Sequence, residues 1–206
     1  MKLKANEVHA LKKAPPVEGV LPAIHGRWSA RSFAERAVSP EALRGVFEAA
    51  RWAASSNNEQ PWRFVMGRRG SLTWQKLYEA LAGFNSSWAQ KAPVLILGVA
   101  HTRFSRNGAQ NAFALFDLGA ATANLTLQAA ELGLTTRQMA GYDREALRHA
   151  LEISADYELG TVIALGYQGE PEALGDPMLI QRETESRTRK PLGEIVFSAW
   201  GVAAEI

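Results

Sequence analysis

Arginines and small hydroxyl or amide side chains carry what chemistry this chain can do. Arg27, Ser29 and Arg31 are spaced by two in Arg27-Trp28-Ser29-Ala30-Arg31-Ser32-Phe33. An extended turn aims all three the same way, and in a helix Arg27 and Arg31 still share a face. Arg187 and Arg189 repeat the spacing just before Pro191. Guanidinium groups suit bidentate contacts to phosphate. Between the two clusters lies Ser55-Ser56-Asn57-Asn58-Glu59-Gln60-Pro61-Trp62-Arg63-Phe64, where Ser55, Ser56, Asn57 and Asn58 donate and accept hydrogen bonds without carrying charge. Taken alone, this stretch also reads as an ordinary helix-to-strand turn, and the Arg27 cluster as a solvated basic turn. Taken together, they suit a phosphorylated flat heterocycle with carbonyl and imide edges, and flavin mononucleotide (FMN) fits. Its phosphate takes Arg27, Ser29, Arg187 and Arg189, and its pyrimidine edge takes the Ser55–Asn58 loop.

Other chemistries lack their signatures. There is no cysteine, so disulfides, thiolate nucleophiles and cysteine-bound clusters are excluded. His9, His25, His101 and His149 are scattered without metal-ligand spacing, and no metal site is expected. Neither a dinucleotide fingerprint, a P-loop nor a G-x-S-x-G elbow occurs. Asp117 and Asp143 read as a helix residue and a cap. A bound cofactor that carries the chemistry accounts for the lack of acid–base machinery. A net charge of +2 with scattered Lys and Arg argues against nucleic acid. The longest apolar run, Ala92 to Ala100, is too short to span a bilayer. The start of the chain lacks a secretory signal's apolar centre, so a cytoplasmic protein is expected.

The elements that must position these residues follow from pattern. The 206 residues form one α+β domain, with residues 1–20 a loosely held arm. Ser39-Pro40-Glu41 starts a helix that runs to about Ala54 and delivers the chain into the Ser-Asn loop. Gln60, ahead of Pro61, is expected to be extended, and Trp62 begins a strand. A helix over Ser71–Leu81 is stopped by Gly83, and Asn85 and Trp88 follow in a loop. Ala92–Ala100 is a doubly buried strand, and His101–Gln110 is a mobile flap. A helix over about Ala109–Leu132 is apolar nearly all round, which suggests a subunit interface. Thr135–Met139 and Leu159–Tyr167 are strands, Asp143 caps a helix reaching about Leu151, and a loop leads to a last helix over Leu192–Trp200.

These stretches, in this order, resemble the nitroreductase family of FMN-dependent NAD(P)H oxidoreductases. The likeness runs from about Ile24 to Ala199 and includes Asn124-Leu125, Ala140-Gly141-Tyr142-Asp143, Ala164-Leu165-Gly166-Tyr167 and Arg187-x-Arg189-Lys190-Pro191-Leu192. The resemblance implies a three-layer α/β/α fold with a mixed, largely antiparallel sheet. It also implies an intertwined homodimer holding two FMN at the interface, each reached by the partner's Ser55–Asn58 loop. On that basis Arg27, Trp28, Ser29, Arg31, Ser55, Ser56, Asn57, Asn58, Gln60, Asn85, Met139, Ala140, Gly141, Arg187 and Arg189 bind cofactor. The chemistry falls at flavin N5 near Ala140 and Gly141. NADH or NADPH delivers hydride and departs, and a small electron-poor acceptor, a nitroaromatic or quinone, then takes it in a ping-pong cycle. Another flavin reaction (reductive dehalogenation, flavin breakdown) or non-catalytic flavin storage is the alternative. Ala54, Asn57, Trp28 and Ala140 depart from residues common in the family at those places, which leaves the acceptor open.

Overall fold

A four-stranded sheet in the order β1 (Trp62–Arg68), β2 (Val94–His101), β4 (Tyr157–Gly166), β3 (Thr135–Met139) divides the chain into two apolar layers. The computed structural model describes residues 2–206. All three strand junctions are antiparallel, in keeping with the largely antiparallel sheet that the family resemblance implies. Because β2 and β4 are apolar on both sides, each face needs a cover. On one face Val94, Ile96, Ile163 and Leu165 meet helices α3 (Pro40–Arg51) and α6 (Ala114–Glu131). On the other, Leu95, Leu97, Val162 and Ala164 meet Leu77 of α4 (Leu72–Glu79), Trp88 of α5 (Gly83–Ala89), Leu147 of α7 (Arg144–Ala150) and Leu179 of α8 (Pro177–Thr184). The result is a three-layer α/β/α domain.

Two glycines let α6 lie close to the sheet. A Cβ on Gly160 would stand 2.7 Å from the Leu118 side chain, and one on Gly98 would stand 3.2 Å from it. α6 therefore seats Leu118, Ala121, Leu125 and Ala129 in the core. Its other side stays bare, with Phe116 76% and Leu115 48% exposed. Caps behave as read: Ser39 accepts from Ala42 N at 3.1 Å, and Asp143 accepts from Ala146 N at 2.9 Å.

Several expectations are corrected. Residues 1–20 are not a loose arm throughout. Ala5–Lys12 form helix α1, whose Val8 is fully buried against Trp28 and Ala30, and Pro22–Gly26 form α2. Gly83 opens α5 rather than stopping α4, because Ala82 N donates to Gly141 O at 3.1 Å and turns the chain there. Asn85 and Trp88 are thus helical. The His101–Gln110 flap is a closed turn, with Arg103 bridging Gln110 and Ser105 N donating to Glu59 Oε1 at 2.8 Å. The loop before Arg187 contains α8, capped by Asp176 with Pro177 at its first position. No helix covers Leu192–Trp200: a single helical turn leads into a hairpin, β5 (Phe197–Ala199) and β6 (Val202–Ala203), bent at Gly201 with φ +80°. The β-branched and aromatic run Ile195-Val196-Phe197 favours strand over helix there. Among the described residues no helix is long and apolar enough to cross a membrane.

Candidate functional site

Gly26 ends α2, and the following residues run extended across the edge of the domain. Three anchors fix that segment from beneath. Glu183 on α8, with no exposed surface, accepts from Arg31 N at 2.9 and 3.0 Å and from Ser32 N at 3.0 Å. Arg137 on β3 donates to Ser29 O at 2.5 Å, and its guanidinium lies 5.4 Å from the Trp88 ring. Arg187 donates to Arg27 O at 2.7 Å and to His25 O at 2.9 Å, which ties the C-terminal arginine pair to the N-terminal one. Ser29 Oγ receives Arg27 Nη2 at 3.0 Å.

So held, Arg27, Ser29, Arg31, Arg187 and Arg189 line one cleft of about 250 Å³. A larger groove of about 890 Å³ shares Arg27, Ser29, Arg187 and Arg189 and continues over Thr136 and Gln138 of β3. The cleft is strongly positive. Burial, and then the neighbouring Arg189, pull Arg27 below the ordinary arginine range; burial, Arg189 and Arg27 do the same to Arg187. Arg137, the most deeply buried of the set, falls to about 10 through burial, with Arg31 adding to it. The Glu183 carboxyl is pushed up by burial, and the Ser32 and Arg31 N–H groups and the Arg31 guanidinium offset part of that. Arg31 Nη1 approaches Glu183 at 3.8 Å, but Arg27, Arg187 and Arg189 have no carboxylate within ion-pair distance among the described residues. Guanidinium groups crowded without a counter-ion fit a dianion such as a phosphate monoester.

A strip leads away from this cleft. The Arg31 guanidinium lies 5.9 Å from the Phe84 ring at the start of α5. Next to it, Asn85 Nδ2 donates to Gly141 O at 2.9 Å, and a Cβ on Gly141 would come within 3.1 Å of that amide. Ala140 and Gly141 present exposed backbone at the end of β3. Met139 is placed differently, its side chain buried in an apolar cluster and 2% exposed, whereas Trp28, 6% exposed and packed with Val8 and Ala30, also lines the arginine cleft.

The Ser55–Gln60 loop stands apart from the arginines. Its base is fixed by Asp117, buried in the first turn of α6, which accepts from Ser56 N at 3.1 Å. Thr126 and Leu127, which border the basic groove, lie nine or ten residues further along α6, about 14 Å at 1.5 Å per residue. Asn57, Asn58 and Gln60 have φ of +52°, +55° and +50°. Gln60 was expected extended; instead its N–H donates to Ser55 Oγ at 2.9 Å and its side chain to Asn58 O at 3.1 Å, closing the loop on itself. Left-handed backbone at non-glycine residues costs about 1–3 kcal/mol each and clusters where ligands bind. One chain therefore assembles the phosphate end and the Asn85–Gly141 strip, and it carries the neutral loop at a separate corner.

Glu183, Arg137, Lys12 and Arg182 also line or brace the basic cleft and were not singled out from sequence. The Asp176-Pro177 pair signals the helix that carries Arg182 and Glu183. Arg137 gives no sign beyond a charge inside a strand.

The family model described as "Nitroreductase family" matches residues 24–87 and 73–167. The chain belongs to the nitroreductase family. A candidate NADH dehydrogenase/NAD(P)H nitroreductase of Archaeoglobus fulgidus is 31% identical over 155 residues, 73% of this chain and 86% of that one. An uncharacterised 15.4 kDa protein of Mycolicibacterium smegmatis is 33% identical over 147 residues, covering 68% and 97%. Among solved structures, an oxidoreductase containing FMN superposes with a TM-score of 0.82 at 30% identity, over 90% of this chain and 94% of that one. A candidate nitroreductase of Desulfovibrio desulfuricans, solved in complex with FMN, has a TM-score of 0.72 at 27% identity, covering 89% and 98%. This nitroreductase-family chain thus shares the fold of proteins that hold FMN. The expected three-layer architecture and antiparallel sheet agree with them.

Proposed function

We propose that this chain is an FMN-dependent NAD(P)H oxidoreductase that works as a homodimer and reduces an electron-poor acceptor, a nitroaromatic or quinone. The observation that carries the reading is the convergence of Arg27, Ser29, Arg187 and Arg189, from opposite ends of the chain, on one cleft without a compensating carboxylate. Held there at its phosphate by Arg27, Ser29, Arg187 and Arg189, FMN would supply a ring able to accept a hydride from NADH or NADPH and pass it to the acceptor.

The chain's own residues set up that exchange. Arg27, Ser29, Arg187 and Arg189 grip the phosphate, and the Glu183 anchor keeps Arg31 one step further along, towards the ring. A guanidinium at that place favours negative charge developing on the ring. Asn85 fixes the Gly141 carbonyl and leaves the adjacent backbone of Ala140 and Gly141 to face the reacting edge. No side chain there is a strong acid or base, so the residues position and polarise. Were reductant and acceptor to use the same place beside Ala140 and Gly141 in turn, the two would alternate in a ping-pong order.

Dimerisation supplies the missing wall. The Ser55–Asn58 loop sits at a separate corner from its own chain's arginines, and a second copy could bring its loop to them. The bare α6 face with Leu115 and Phe116 suits that contact, as does the C-terminal hairpin, where Trp200 is 96% and Phe197 37% exposed. Apolar groups of this size left uncovered mark association surfaces.

The experiment is direct. Purified protein is expected to be yellow, to bleach on anaerobic addition of NADH or NADPH, and to recolour on adding a quinone or nitroaromatic. Colourless protein that takes up no FMN refutes the cofactor; colour that neither nicotinamide bleaches refutes the reaction.

A further inference from the structure

The family match begins at residue 24, yet residues before it build part of the phosphate cleft. α1 is docked firmly. Val8 lies buried with Trp28 and Ala30, Ala5 N donates to Glu170 Oε2 at 2.9 Å, and Gln168 Nε2 donates to Ala5 O at 3.0 Å. This docking sets Lys12, the last residue of α1, on the lining of both the 250 Å³ cleft and the larger groove.

Lys12 is only 6% exposed, and its ammonium makes one hydrogen bond, to Arg182 O at 3.1 Å. The group also lies 5.1 Å from the Trp28 ring centre. An ammonium has three donors, and a lysine this buried is normally paired with an anion. Here no carboxylate comes within ion-pair distance of it among the described residues. The charges facing it are mixed, Glu183 and Glu185 against Arg31 and Arg187, and burial lowers its pKa. Closing α8's last turn through the Arg182 carbonyl accounts for one donor. It does not account for placing a cation among arginines on a cleft wall.

We propose that Lys12 is a further ligand of the phosphate monoester, and that α1 is a clamp carrying it onto the phosphate end of the site from outside the family-matched segment. This rests on the FMN reading above. Lys12 adds a single ammonium contact beside the bidentate arginines, a contact that a phosphate, but not a neutral ribityl end, gains from.

The test compares FMN with riboflavin, which lacks the phosphate. Full-length protein freed of flavin is titrated with each, using the wild type, Lys12→Met and Lys12→Arg, with thermal unfolding as the check on folding. Wild type is expected to prefer FMN. Lys12→Met keeps the apolar stem and is expected to lose about tenfold in FMN affinity with riboflavin unchanged, and Lys12→Arg to recover most of the loss. An unchanged FMN-to-riboflavin ratio in Lys12→Met, or equal loss of both ligands, overturns the proposal and leaves Lys12 a structural brace. A wild type that does not distinguish the two flavins overturns the phosphate reading itself, and this inference with it. If Lys12→Met does not fold, Lys12→Gln carries the same comparison.

Discussion

Removing the Glu183 carboxylate with Glu183→Ala tests whether the arginine-bearing segment is held from beneath. In the folded chain that carboxylate accepts from Arg31 N and Ser32 N and faces Arg31 Nη1 at 3.8 Å. Each buried N–H left without an acceptor costs about 1–3 kcal/mol. Against this, the carboxylate's own desolvation disappears, as its raised pKa attests. The net loss is about 2–4 kcal/mol, since removing one member of a buried charged cluster strands its partners. For a chain of this size that lowers the melting temperature by roughly 5–15 °C. The assay is thermal unfolding by circular dichroism, paired with FMN titration of the folded variant. The variant is expected to melt earlier and to bind FMN more weakly, because Ser29 and Arg31 are no longer fixed. A variant that melts with the wild type and binds FMN equally well refutes the anchoring argument.

Three further outcomes are expected. Arg187→Ala with Arg189→Ala, which removes two charged donors from the phosphate, weakens FMN binding at least tenfold to a hundredfold while the fold persists, measured by flavin release on dilution; retained flavin moves the phosphate elsewhere. Sedimentation gives twice the 22.5 kDa chain mass, and Phe116→Glu, which puts a charge on the bare α6 face, shifts it towards monomer with loss of flavin; a flavin-loaded monomer refutes the shared site. Because burial raises the Glu183 pKa above the ordinary 4.5, the stability this group contributes is present below that value and lost as pH rises through its folded pKa. The melting advantage of wild type over Glu183→Gln is therefore larger at about pH 4 than at about pH 7, and a pH-independent difference contradicts the assignment.

Elements with local punctuation were legible in the sequence. Ser39-Pro40-Glu41 and Asp143 mark α3 and α7 within a few residues, and β3 has the expected bounds, Thr135–Met139. What failed depended on distant partners. α1 is short, and its docking comes from Val8 meeting Trp28 and Ala30, residues twenty positions away that no local pattern reveals. α8 carried the same cap-and-proline signal as α3 in Asp176-Pro177, but the surrounding glycines and prolines read as a loop. Gln60 defies the preference set by Pro61 because Ser55 Oγ captures its N–H, a contact across five positions. At the site, the types and pairing of Arg27, Ser29, Arg187 and Arg189 were readable. Glu183 and Arg137 were not, since a charge that will be buried looks the same in sequence as one that will face water.

The most direct test of the account is a crystal structure of the protein with FMN bound. It is expected to show the phosphate within hydrogen-bond reach of Arg27, Ser29, Arg187 and Arg189 of one chain, and the ring edge met by Ser55–Asn58 of a second. A flavin held wholly within one chain, or a phosphate seated away from that cleft, would contradict it.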